Sequence, residues 1–533
     1  MRISEGFPAK SASLAIGLLS LGAETLWVRI FSFMGRSTPL AVSIILGTYL
    51  LGIAFGAVLG GRLCRHQDEK KLAVSLIASL LVGSIIVLAS PLMLVTVTKS
   101  TTSHSYSIIL PAVAALSLAF LSSFVFSICF PICHHLGTKL ASGNVGKGMS
   151  RVYAANIAGS VIGPLLVNFV ILQFATTELA FAILGILGVA VGMLLLGFAE
   201  SRKPLKFAAA TCVLLAVASV FAMARSDNWL IRSLASKPYD PDPSRVFDVS
   251  RVVETRQGII VSYRDDKSGD IIYGGNVYDG RTNLDPRLNS NNINRVLVLA
   301  ALRPNPKRVL VIGLSIGSWN YLLSGFPGVE QIDVVEINPG YLQLIAEYPK
   351  QSEVMNDPRV RLHIGDGRRF LRKIPEGTYD LVVMNTSFHW RAYASMLLSK
   401  EFLTLARSRM APGGLLAFNT TGSRDALYTA ASVFPHAYLY DNFAICADSD
   451  WRAALEKPEA VRELMMVSPA KAALFSNDDS EIIKGFLSRS HTADVPGLAA
   501  KIGRPLEVIT DRNLITEHKY GRPLKPTDMG EGR

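Results

Sequence analysis

The sequence predicts two architectures in one chain: a multi-pass α-helical membrane domain before residue 225 and an α/β domain with a parallel sheet after it. Three observations carry this. Half of the 533 residues are hydrophobic and 18% are charged, with a mean hydropathy of +0.32, too apolar for an ordinary soluble chain. The apolar excess lies almost wholly in the first 225 residues, in stretches long enough to cross a bilayer. Beyond residue 291, short apolar runs alternate with helical patterns, as βαβ units do.

The formal charge of +12 fits Lys and Arg collecting in cytoplasmic loops. No basic run is interleaved with aromatics, as a strand-binding groove requires, so nucleic acid is not expected as a partner. Five cysteines (Cys64, Cys129, Cys133, Cys212 and Cys446) give neither a disulfide framework nor zinc spacing. Cys129 and Cys133 precede His134 and His135 but read as an apolar helix ending at an interface; no metal site is expected.

Taken in order, the apolar stretches fall near 12–34, 40–63, 72–98, 107–136, 153–175, 178–199 and 206–224. The first contains Glu24 and Arg29. Two readings stand for them: an ion pair fixing helix packing, or a polar path through the membrane. "GIAFGAVLGGR" (52–62) supplies small residues for close helix contact. Arg62, Arg65, Lys70 and Lys71 follow the second span, Lys139, Lys147 and Arg151 the fourth, and Arg202, Lys203 and Lys206 the sixth. The charge rule puts these loops in the cytoplasm, and seven spans then send the rest of the chain outside.

Residues 226–245, with Pro238, Pro241 and Pro243, read as a linker. "GIIVSYR" and "DIIYGGNVYDGR" then form a small β-strand subdomain over 246–290. The α/β domain follows over 291–450, with a C-terminal extension over 451–533. In "KRVLVIGLSIGSWNYLLSG" a buried strand leads through Gly313 and Gly317 into a helix. "QIDVVEINPGYLQLI" is a second strand ending on Glu336, 23 positions after Gly313, where an acid accepts bonds from ribose hydroxyls. "RVRLHIGDGRRFL" is a third strand that ends in Gly365-Asp366-Gly367, and an Asp there faces an adenine amino group. "YDLVVMN" and the strand within "LARSRMAPGGLLAFNTTG" complete the set. Acids and glycines at the carboxyl ends of successive parallel strands point to a nucleoside site, with Gly313, Gly317, Glu336, Asp366 and Gly367 binding the ligand.

These stretches, with "GIIVSY", "VVEINPGY" and "DPRVRLHIGDGRRFL", resemble the polyamine aminopropyltransferases, the spermidine synthase family, over residues of about 250–450. "GAETLWVRIFSFMGRSTPLAVSIILGTYLLGIAFGAVLGGRL" is similar to the membrane region of bacterial membrane-fused spermidine synthase-like proteins, and "VITDRNLITEHKYG" to their closing segment, with Arg512 in place of its second Asp. The resemblance implies a Rossmann-like, class I methyltransferase-type domain preceded by a small β subdomain. It also implies a bacterial inner-membrane location, a homodimer, and decarboxylated S-adenosylmethionine or S-adenosylmethionine as donor, with no permanently bound cofactor.

Where the family has Gly-Gly-Gly-Asp-Gly-Gly this chain has "GLSIGS", so Ile316 replaces the Asp that holds the aminopropyl ammonium. The catalytic Asp-Ser-Ser-Asp is "NTSF", with Asn385 and Phe388 in place of both acids. In the upstream Tyr-His-Glu segment, Asn294 and Arg295 replace His and Glu. Carboxylates attract and deprotonate polycationic acceptors, and here they are gone, so an acceptor other than putrescine is expected. After the fourth strand, Asn385, His389 and Arg391 are the candidate catalytic set. His389 is placed as a base and Arg391 as a binder of a carboxylate or phosphate, with Trp390 and Tyr393 available for stacking. Asn385 to Phe388 also has the spacing of the amino-methyltransferase Asn-Pro-Pro-Tyr/Phe motif, without its prolines.

Three functions remain: a membrane transferase using an S-adenosyl-type donor, a methyltransferase acting on an amine or lipid headgroup, and a non-catalytic transporter or sensor. All three have the lipid bilayer and small-molecule substrates as partners. The donor chemistry places the second half in the cytoplasm, against the charge rule with seven spans.

Overall fold

The structure, a computed structural model, describes residues 8–101, 109–139, 145–198, 210, 213, 228–236, 247–385, 387–468, 473–489 and 502–521. The chain divides into two compact units, with the main boundary between Ser236 and Lys237.

In the N-terminal unit, six helices among the described residues are long and apolar enough to cross a bilayer: Ala9–Met34, Pro39–His66, Glu69–Ser100, Ile109–Thr138, Gly146–Phe174 and Thr177–Leu196. They fall on the first six expected spans. The seventh stretch, 206–224, lies outside the described residues except at 210 and 213. The small-residue face of Pro39–His66 does what its spacing requires. A Cβ at Gly56 would stand 2.1 Å from the Phe124 carbonyl oxygen, so the two backbones approach too closely for any side chain there. Arg29 Nε donates to Thr177 Oγ1 at 3.0 Å, tying the first helix to the sixth.

The C-terminal unit holds two sheets. Strands β1 (Val249–Thr255), β2 (Gly258–Tyr263), β3 (Ile271–Gly274) and β4 (Val277–Arg281) form an antiparallel meander in chain order. Its β3–β4 turn is Gly275-Asn276, with φ of +59° and +65°. That turn needs two left-handed residues, and Gly and Asn adopt the conformation most cheaply.

The larger sheet contains β5 (Arg308–Ile312), β6 (Gln331–Glu336), β7 (Val360–Ile364), β8 (Tyr379–Met384), β9 (Met410–Asn419), β10 (His436–Tyr440) and β11 (Phe443–Ala447), in the order β10-β11-β9-β8-β5-β6-β7. Strands β5 to β9 pair in parallel, and β11 runs antiparallel between β9 and β10. This is the Rossmann-like methyltransferase topology. Alternate residues of one strand feed separate cores. Val309 and Val311 join Leu381, Val383 and Ile332 on one face, while Leu310 and Ile312 join Val382, Met384 and Val335 on the other. Burial on both faces is why β5 reads as an apolar run over Val309–Ile312 and β8 over Leu381–Met384, while β6 carries a buried acid, Asp333.

Strand order reverses direction at β5, from which β6 and β8 lie on opposite sides. A crevice opens at such a point, beyond the carboxyl ends of the strands. The meander is joined to this edge by polar contacts: Thr255 Oγ1 donates to Asn338 Oδ1 at 2.8 Å, Gln351 Nε2 to the Thr282 carbonyl at 2.7 Å, and Ser318 Oγ to the Arg281 carbonyl at 3.0 Å.

Candidate functional site

The turn after β5 is built from backbone that few residues tolerate. Gly313 and Gly317 have φ of +90° and +80°, and Ser315 between them has +48°. A Cβ at Gly313 would lie 2.4 Å from the Asn385 carbonyl oxygen, so glycine is needed twice over, for its dihedral and for the approach of the β8 end. Gly317 precedes the helix Ser318–Ser324, and Ser315 Oγ anchors the turn by donating to the Asp279 carbonyl at 3.1 Å.

Glu336 ends β6 and is only 5% exposed. Leu314 N–H donates to its Oε2 and Asn338 N–H to its Oε1, both at 2.8 Å. One carboxylate thus fixes the β5 turn against the β6 turn, and each oxygen keeps a lone pair for a ligand hydroxyl. Burial, reinforced by the nearby Asp279, pushes its carboxyl up to about 7 against the pull of those backbone donors. Asp366 is exposed and caps the short helix Gly367–Leu371, accepting from Arg369 N–H at 2.7 Å. Gly367 is buried, and a Cβ there would meet Ile312 Cγ2 at 2.7 Å.

At the carboxyl ends of β5, β8 and β9 lies a cavity of about 310 Å³. Leu314, Ser315 and Ile316 of the first turn line it with Asn385, Ser387 and Phe388 from the β8 end. Tyr278 and Asp279 of β4 and Trp319, Arg295, Asn419 and Asn442 complete much of the wall. Among the described residues, Asp279 and Arg295 are its only charged lining residues. Asp279 accepts from Tyr341 Oη at 2.6 Å, and burial raises its carboxyl above the usual carboxylate range.

The candidate residues after β8 divide. Asn385 lines the cavity, and its N–H continues the ladder to the Ile312 carbonyl at 3.0 Å. His389 and Arg391 are not among the lining residues. His389 is bound to Thr421 Oγ1, at 2.9 Å from both its backbone N–H and its Nδ1. Burial pushes its imidazole down to about 4, which makes it a weaker proton acceptor near neutral pH than an ordinary histidine. Arg391 donates to Ser387 Oγ at 2.6 Å and to the Gly274 carbonyl at 3.2 Å. Buried beside Asp279 and Tyr341, it buttresses the meander behind the cavity. Trp390 is 5% exposed, its ring 5.4 Å from that of Phe388, whereas Tyr393 is 78% exposed.

The C-terminal segment closes the domain. Arg368 Nη1 donates to Asp511 Oδ1 at 2.6 Å, and Ser399 Oγ to the same oxygen at 2.7 Å. Glu517 accepts from the N–H groups of Tyr393 and Ser395, at 2.8 and 2.9 Å. Sequence reading passed over Asp279 as a site residue and took Arg295 only as a replacement. The signal for Asp279 was an acid followed by glycine, Asp279-Gly280, the dipeptide that singled out Asp366-Gly367.

Fold and geometry together define an α/β domain with a cavity at the carboxyl edge of its sheet. Comparison with known proteins is narrower than the fold. Residues 296–433 match the family model for the spermine/spermidine synthase domain, to which this part of the chain is similar. Over 114 residues the chain is 40% identical to spermidine synthase 2 of Hyoscyamus niger, covering 21% of this chain and 37% of that protein. Over 144 residues it is 35% identical to spermine synthase of Arabidopsis thaliana, covering 27% and 37%. The chain therefore spans little more than a third of these relatives. Among solved structures, a spermidine synthase in complex with the transition-state analogue AdoDATO is 18% identical with a TM-score of 0.39, covering 50% of this chain and 94% of that one.

Proposed function

We propose that the chain is an integral membrane transferase whose C-terminal unit binds an S-adenosyl-type donor and acts on an acceptor other than putrescine. One observation carries this reading. Buried Glu336, braced on Leu314 and Asn338, stands beside the glycine turn, while the adjoining cavity has Ile316 on that turn and Asn385 at the β8 end in place of carboxylates, leaving Asp279 of β4 as the acid among its described lining residues. The first feature suits a ribose; the second leaves no anionic partner at those positions for an aminopropyl ammonium or a polyamine. Asp366 and Gly367 would face the adenine. The named activity of the relatives supports the donor side of this reading more than the acceptor side.

Calorimetric titration of the full-length protein in detergent with 5′-methylthioadenosine tests it. Binding that is lost in Glu336→Ala is expected; no heat with the wild-type protein would count against the reading. A second reading, methyl transfer from S-adenosylmethionine to an amine or lipid headgroup, draws on the same loss of ammonium partners at Ile316 and Asn385. Transfer of label from the donor's methyl group to an extracted acceptor distinguishes it, and binding without turnover of any donor would favour a sensor.

We place the domain on the cytoplasmic side, where adenosyl donors are made. The positive loops after the second, fourth and sixth helices agree with this if residues 206–224 do not cross the bilayer. A cytoplasmic signal from a topology reporter fused after residue 533 is expected, and an exported one would refute the placement.

A further inference from the structure

Arg295 sits on the helix Asn294–Leu302 and lines the cavity, yet its guanidinium has no hydrogen-bond or ion-pair partner among the described residues. The acid that acts on it electrostatically, Asp441, already has partners: its Oδ2 accepts from Arg489 Nη1 at 2.8 Å and from Asn294 Nδ2 at 3.0 Å. A largely buried guanidinium cannot shed its proton, and its planar fork matches an oxyanion. Left unpaired in the wall of a pocket, it is a costly group unless a ligand completes it. Across the same cavity the Asn442 amide oxygen is buried and also without a partner, an acceptor for a ligand N–H.

Resting on the nucleoside reading above, we propose that Arg295 pairs with the carboxylate of a substrate, so that this domain works on a carboxylate-bearing amine and not on a simple polycation. A carboxylate fits better than a phosphate. One guanidinium balances one negative charge, while the rest of the described wall, Asp279 apart, is uncharged amide, hydroxyl, ring and aliphatic side chain, and Asp279 is unfavourable to a dianion. The carboxylate belongs either to an intact donor or to the acceptor.

The test uses pairs of probes that differ by that one group, titrated into the full-length protein in detergent. The donor arm compares S-adenosylmethionine with its decarboxylated form. The acceptor arm compares ornithine with putrescine, with and without saturating 5′-methylthioadenosine. A preference of about tenfold or more for the carboxylate-bearing member is expected in one arm, and that arm names the source. Arg295→Gln should abolish the preference and Arg295→Lys retain part of it, while 5′-methylthioadenosine binds both variants as it does the parent, which shows that they fold. No preference in either arm, or one that survives Arg295→Gln, overturns the proposal. Failure of 5′-methylthioadenosine to bind the parent protein overturns the nucleoside reading instead and leaves the acceptor arm without nucleoside to decide the role of Arg295.

Discussion

The two sides of the site differ in what they keep. On the β6 side, a buried acid, two left-handed glycines and their backbone partners form a rigid cradle in which each part is needed by another. On the β8 side, the wall is Asn385 and Phe388, met by Ile316 of the β5 turn, with an unpaired Arg295 nearby. The first side is constrained by backbone geometry, so its residues have few substitutes. The second is constrained only by the charge and shape of what enters, so it is free to change sign while the fold stays the same.

Gly313→Ala should produce the largest effect and test the claim of rigidity. Its forced dihedral and the contact with the Asn385 carbonyl should cost about 2–3 kcal/mol, seen as a lower melting temperature with loss of nucleoside binding. Gly313→Ala with wild-type stability would break the comparison. Next, Glu336→Gln should weaken 5′-methylthioadenosine by about tenfold or more, since hydrogen bonds to a charged acceptor are lost.

The pH dependence sharpens that second case. Burial raises the Glu336 carboxyl from its ordinary 4.5 to about 7, so the protonated form prevails below that. Nucleoside affinity should therefore rise between about pH 6 and pH 8, as the carboxylate becomes available to two hydroxyls. Folding stability runs the opposite way. The folded state holds the proton where the unfolded chain has released it, so this group's contribution falls as pH rises from 4.5 to about 7 and levels off above. Both slopes should vanish in Glu336→Gln.

Smaller effects are expected outside the cradle. Asp511→Asn breaks a two-bond pair with Arg368 that is partly shielded, so about 1–2 kcal/mol of stability should go while nucleoside affinity stays. His389→Gln should change the rate of any transfer least, by less than about threefold, because the ring does not line the cavity itself but sits behind it, bound to the lining residue Thr421. A rate that collapses in His389→Gln would show that the loop rearranges to bring this residue into contact with substrate.

How legible these features were follows from what encodes them. The sheet was readable because strand segments buried on both faces are mostly apolar, as in "VLVI" and "LVVM". Gly313, Gly317 and Glu336 were readable because their roles lie in local backbone and in strand-end position. The cavity was not. Arg295 and Asp279 reach it from a helix and a meander that lie before β5, and no local pattern joins them to the β8 end. Arg391 illustrates the converse. It was expected to receive an anion because it follows the strand end closely, but side-chain direction turns it toward Gly274 and Ser387. Sequence distance from a strand end does not say which way a side chain points.

The most direct measurement is a cryo-electron-microscopy structure of the full-length protein with 5′-methylthioadenosine bound. The ribose hydroxyls are expected on Glu336, the adenine by Asp366, and the thioether sulfur facing the cavity between Ile316 and Asn385. Density for the nucleoside away from Glu336, or an occupied site with its sulfur turned from that cavity, would contradict this placement.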